Sequence, residues 1–86
     1  MENPLDMFFV YVLISINYKT RYVGSCADIS MRLDEHNSGK VRYTKGRKPW
    51  TLIYSEEYNT RSEAIKRGLF LKSGQGRKFL DKLITS

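Results

Sequence analysis

The chain has 86 residues, with 15 lysines and arginines against 9 aspartates and glutamates, one histidine, one cysteine, 41% hydrophobic and 13% aromatic residues. That length suits one small domain, residues 1–86, and excludes a second lobe, a large cofactor fold or a sealed interior active site, so any chemistry belongs in an open cleft. Cys26 alone closes no intrachain disulfide, and Cys26 with His36 falls short of a four-ligand zinc site.

The first element is expected at Phe8 to Ile14, within the longest apolar run, Met7 to Ile14. Aromatic and branched apolar residues on both alternations suit a central strand covered on both faces. The run is far shorter than the roughly 20 residues of a membrane span. The preceding Met1-Glu2-Asn3-Pro4-Leu5-Asp6 is acidic where a secretion signal is basic, so a cytoplasmic protein with a reduced thiol and no membrane partner is expected. Ser15 to Thr20 breaks the run around Asn17, and Arg21-Tyr22-Val23 resumes it before Gly24, the pattern of a β-hairpin.

Asp28 is placed to cap a helix that Gly39 closes, with Ile29 and Leu33 as its buried stripe. A third strand is expected at Thr51 to Tyr58. Thr60-Arg61-Ser62-Glu63 has the capping-box form, each partner satisfying the other's backbone amide, and opens a helix to Lys72. Ser73-Gly74-Gln75-Gly76 then interrupts, and a last amphipathic helix runs from Arg77 to Ile84. The order β-β-α-β-α-α predicts an α+β fold, a small three-stranded antiparallel sheet with helices packed on it.

The positive charge is concentrated. Residues 40–50 carry five cations and no acid (Lys40, Arg42, Lys45, Arg47 and Lys48), and residues 61–86 carry seven basic against two acidic residues. The first cluster, interleaved with Tyr43, Gly46 and Pro49, reads as an exposed loop. An acid-free loop paired with a basic C-terminal third points to a polyanion, most simply the phosphates of a nucleic acid.

Arg32 and His36 fall one helical turn apart on one edge of the first helix. A guanidinium stabilises phosphate charge and an imidazole moves a proton near neutral pH, so the pair suits phosphodiester chemistry. Tyr11 and Tyr22, from neighbouring hairpin strands, add phenols that position or deprotonate a water. All four are expected on one open surface of the sheet.

Val10-Tyr11-Val12, Tyr22-Val23-Gly24, Arg32, His36 and Asn37-Ser38-Gly39 in this order resemble the GIY-YIG nuclease family. The resemblance continues through Pro49-Trp50-Thr51-Leu52-Ile53-Tyr54, Glu63-Ala64-Ile65 and Leu71-Lys72-Ser73-Gly74-Gln75-Gly76-Arg77-Lys78, spanning about residues 7–84. It implies the same sheet flanked by helices and hydrolysis of DNA with one divalent cation, Mg²⁺ or Mn²⁺. Tyr11 and Tyr22 would handle the water, Arg32 would neutralise the phosphate, and His36 would assist proton transfer or hold a phenol in place. The basic residues Lys40, Arg42, Lys45, Arg47, Lys48, Lys72, Arg77 and Lys78 would bind the DNA.

The family's metal ligand is a glutamate on the second helix, and the matching position here is Gly68, on the inward stripe with Ala64 and Leu71. Glu63 belongs to its cap. Glu56 and Glu57 are the candidate substitutes, because successive strand residues face opposite sides and one of them faces the site. A glycine here is otherwise explained by a short helix that ends at residue 68 in the left-handed conformation. Two functions stay open: a metal-dependent DNA endonuclease, and a DNA-binding module of the same fold that has lost cleavage at Gly68.

Overall fold

The computed structural model describes residues 7–85. β1 (Phe8–Ser15), β2 (Arg21–Cys26), α1 (Ile29–Asn37), β3 (Trp50–Tyr58), α2 (Arg61–Lys72) and α3 (Gly74–Thr85) follow in the expected α+β order, with a short 3-10 turn at Lys45–Arg47. The sheet has the order β2-β1-β3, both pairings antiparallel. Among the described residues, no helix is long and apolar enough to cross a membrane.

Why β1 is central follows from its composition. Val10, Tyr11, Val12 and Leu13 are all buried, so each face of the strand needs its own cover. Val10 and Val12 face a core completed by Val23, Leu71 and Leu80, under α2 and α3. Tyr11 and Leu13 point the other way, paired across the hairpin with Gly24 and Tyr22. This second face meets α1 and the basic loop, and the candidate site lies there.

α1 starts where Asp28 accepts the Met31 amide at 3.0 Å. Its buried residue is His36, with no exposed surface, whereas Ile29 and Leu33, expected to form the buried stripe, are only half-buried. Both ring nitrogens of His36 find partners, and a satisfied polar ring is buried at little cost. α2 starts at Thr60, whose hydroxyl accepts the Glu63 amide at 3.1 Å. The return bond of the box differs from expectation: the Glu63 carboxylate accepts from the Thr60 hydroxyl.

The break at residues 73–76 is narrower than expected. Ser73 alone separates the helices and itself caps α3, its hydroxyl accepting the Gly76 amide at 3.1 Å and its carbonyl the Arg77 amide at 2.9 Å. A Cβ on Gly76 would overlap the Phe70 carbonyl oxygen and lie 2.7 Å from the Leu71 carbonyl carbon. That glycine serves the closeness of the corner between α2 and α3. Gly68 is inside α2, buried with Ala64 and Leu71, so the left-handed helix end is ruled out.

Candidate active site

Tyr11 is the innermost member of the site. Its ring lies across Gly24, where an added Cβ would stand 2.6 Å from the hydroxyl oxygen, so the glycine that ends Tyr22-Val23-Gly24 makes room for the phenol of the neighbouring strand. The hydroxyl meets His36 Nε2 at 2.9 Å, and His36 Nδ1 meets Thr44 Oγ1 at 2.7 Å. Arg32 lies beside the same hydroxyl, and its guanidinium donates to Glu35 at 2.8 Å.

Donor chemistry gives this chain a direction. A backbone carbonyl only accepts, so the Thr44 hydroxyl gives its hydrogen to Val41 at 3.4 Å and accepts from His36 Nδ1. Nδ1 therefore carries the imidazole hydrogen, and Nε2 accepts from the Tyr11 hydroxyl. The tautomer is assigned from this network. Burial, opposed by the neighbouring Arg32 guanidinium, pushes the Tyr11 phenol up to about 12, while burial and then the charge of Arg32 lower His36. Near neutral pH the pair is an un-ionised phenol donating to an un-ionised imidazole, a poised proton path. The bond to Glu35, then the nearness of Tyr11, raises Arg32 further above its ordinary value.

Tyr22 completes the group. Its ring centroid is 6.2 Å from that of Tyr11, 5.0 Å from His36 and 5.8 Å from Tyr43. The four residues thus come together, but not all on an open surface as expected: Tyr11 and His36 are sealed, and Tyr22 and Arg32 are half-exposed. The sheet already shields the Tyr11 face, and α1 closes over it. A cleft of about 680 Å³ wraps the β2 edge and joins Tyr22 and Tyr43 to Leu71, Lys72 and Arg77.

The basic loop is held at its backbone. Asn37 clamps Trp50, its Oδ1 accepting from the Trp50 amide at 2.6 Å and its Nδ2 donating to the carbonyl at 3.0 Å. The Trp50 indole donates to the Thr44 carbonyl at 2.9 Å, and the Ser15 hydroxyl to the Arg47 carbonyl at 2.7 Å. With these anchors inside, Lys40, Arg42, Lys45, Arg47 and Lys48 are all exposed. Lys78 is exposed on α3, apart from the lining of the cleft.

The candidate carboxylates divide by face. Glu56 pairs in register with Val10 and lies on the α2 side. There it is committed to Arg67 at 2.8 Å and to the hydroxyls of Tyr54 and Tyr58. Burial raises its pKa, but those three hydrogen bonds prevail and hold it below the usual carboxylate value. Glu57 pairs with Phe9, so it shares the Tyr11 face and is exposed. Position 68 lies against Val10, whose Cγ2 is 3.4 Å from where a Cβ would sit, on the opposite face from Tyr11. Among the described residues, no three His, Cys, Asp or Glu side chains gather into a metal-binding group. The donor set on the Tyr11 face does not fit a resident divalent ion, because Glu35 already serves Arg32 and Glu57 stands without companion ligands.

Thr44 and Glu35 complete this site with no signal in the sequence, while Asn37, in the Asn37-Ser38-Gly39 motif, clamps the loop that follows it.

Two tyrosines of a three-stranded antiparallel sheet meet an arginine and a histidine of α1 beside a basic loop, the arrangement that the resemblance to GIY-YIG domains implies. The model for the GIY-YIG catalytic domain matches residues 7–79, and the chain belongs to the GIY-YIG family. It is similar to a UPF0213 protein of Staphylococcus epidermidis, 41% identical over 70 residues that cover 80% of this chain and 84% of that protein. A UPF0213 protein of Staphylococcus aureus strain N315 is 38% identical over 77 residues, covering 88% and 93%. The solution NMR structure of a UPF0213 protein from Bacillus halodurans superposes with a TM-score of 0.53 at 29% identity, covering 90% of this chain and 84% of that one. GIY-YIG nucleases are generally metal-dependent.

Proposed function

We propose that this chain is a DNA-directed nuclease-type domain that grips the phosphodiester backbone with its basic loop and hydrolyses it slowly. The observation that carries the reading is the directional chain from Tyr11 through His36 to Thr44, with Arg32 at its head and the half-exposed Tyr22 beside it. A buried run of polar groups aligned in this way is more than a fold of this size needs for stability, and it is what in-line attack on phosphorus requires.

In this reading Lys40, Arg42, Lys45, Arg47 and Lys48 neutralise backbone phosphates, and Lys72, Arg77 and Lys78 extend the track. Arg32 exchanges Glu35 for a phosphate oxygen. Tyr22 orients the attacking water, whose proton enters the chain at Tyr11 as the Tyr11 proton passes to His36 Nε2. His36 is then a positioning residue. A divalent ion such as Mg²⁺ or Mn²⁺ would stabilise charge on the phosphate and leaving group. On the Tyr11 face Glu35 is bonded to Arg32 and Glu57 is a lone exposed carboxylate, and among the described residues no three such ligands gather, so no step here runs through an ion and the rate stays low. Gly68 favours a second reading, a module that binds DNA without cutting it.

The binding half of the reading is tested by salt titration. Affinity for duplex DNA should fall as salt rises, and replacing Lys45, Arg47 and Lys48 together with glutamine should reduce the slope of log K against log salt by up to about 2.7, three phosphate contacts at roughly 0.9 each. An unchanged slope would remove the loop from the interface, and no measurable DNA binding would overturn the proposal.

A further inference from the structure

Burial does not ask for an aromatic residue at position 43. The Tyr43 ring is 85% exposed, in the middle of the acid-free loop between Arg42 and Lys45, so it adds almost nothing to the core. Its placement is nonetheless specific. The ring centroid lies 5.8 Å from Tyr22, and Tyr22 lies 5.0 Å from His36, so a row of rings leads from solvent to the sealed Tyr11–His36 pair. Tyr43 also lines both the large cleft at the β2 edge and a smaller one of about 370 Å³ next to Thr44 and Trp50.

We infer that Tyr43 is a stacking platform for an unpaired base, and that the site therefore takes single-stranded DNA in preference to a closed duplex. This rests on the reading of the loop as a DNA-binding surface. A phenol face is complementary to the face of any base, but in a duplex both faces of every base are covered by its neighbours, and only the groove edges are open. The cations on either side of Tyr43 have no preference between strand forms, since both present phosphates. Selection between the forms therefore comes from the ring. With a base on Tyr43, the next phosphates along the strand run toward Tyr22 and the cleft carrying Lys72 and Arg77.

The test uses fluorescence anisotropy with the full chain, a short labelled single-stranded oligonucleotide, and the same oligonucleotide annealed to its complement. Tyr43→Ala should weaken single-strand binding about tenfold or more and leave duplex binding within about twofold, while Tyr43→Phe keeps the preference. At this exposure neither substitution threatens the fold. An equal loss on both probes, or none on the single strand, overturns the inference and leaves the DNA-binding reading standing. Binding of neither probe by the unsubstituted chain overturns that reading and this inference with it.

Discussion

His36 concentrates several constraints in one side chain. It is wholly buried, un-ionised, and bonded at both nitrogens, to Tyr11 and to Thr44. Replacing it with phenylalanine keeps the ring but takes the acceptor from the Tyr11 hydroxyl and the donor from Thr44, which should cost on the order of 3 kcal/mol. The same burial sets a pH dependence. The folded state lowers the His36 pKa from 6.5, so below about 6.5 the unfolded chain binds a proton that the folded chain does not, and stability falls with it. This contribution is complete above 6.5 and is lost as pH drops toward the lower folded value. Thermal unfolding followed between pH 7.5 and 5 should show a falling Tm that His36→Phe lacks over that interval. A wild-type Tm that stays flat or rises on acidification would show that the imidazole is charged in the fold.

Among the elements, α2 and its junction with α3 carry two glycines with opposite demands. Gly76 sits where a Cβ would overlap the Phe70 carbonyl oxygen, backbone that cannot step aside, so Gly76→Ala should destabilise by about 3 kcal/mol. At Gly68 the nearest atom is Val10 Cγ2, at 3.4 Å. Gly68→Ala should then raise stability by about 0.5–1 kcal/mol, the ordinary gain of alanine inside a helix. Denaturant unfolding of the two variants checks both signs, and a loss of stability in Gly68→Ala would mean that α2 sits closer to β1 than described here. At this scale the sequence was legible wherever the signal was local. Asp28 and Thr60 cap helices because their oxygens reach amides three residues on, and β1 reads as central from its two apolar faces. Ser73-Gly74-Gln75-Gly76 misled because glycine and serine are turn formers in general, whereas Gly76 is required by contact with a preceding helix.

For the whole molecule, charge and topology divide the work. The α2 and α3 face of the sheet holds the apolar core and ties Glu56 to Arg67, whose guanidinium also lies 4.9 Å and 5.0 Å from the Phe70 and Phe79 ring centres. The α1 face gathers Tyr11, Tyr22, Arg32 and His36 beside the exposed cations. Spacing alone brought those four together, since register across a hairpin and one helical turn are both fixed geometry. Thr44 was not legible in the same way, because its bond to His36 depends on how a loop without periodicity is folded. Hydropathy ranks Ile29 and Leu33 above a histidine, so the sealed depth of the site was hidden as well.

In the proposed reading, phosphodiester chemistry on the α1 face is held back because position 68 carries glycine and no carboxylate. A glutamate at 68 starts on the α2 face beside Val10, so the variant also tests whether a carboxylate there reaches the site around the sheet. The most direct measurement is nicking of supercoiled plasmid in Mg²⁺ by the chain and by Gly68→Glu. The chain should nick slowly or not at all, Gly68→Glu should show a large rise, and adding Arg32→Ala should remove that rise. Robust Mg²⁺-dependent nicking by the unsubstituted chain, abolished by Glu57→Ala or Glu56→Ala, would contradict this reading and assign the metal to β3.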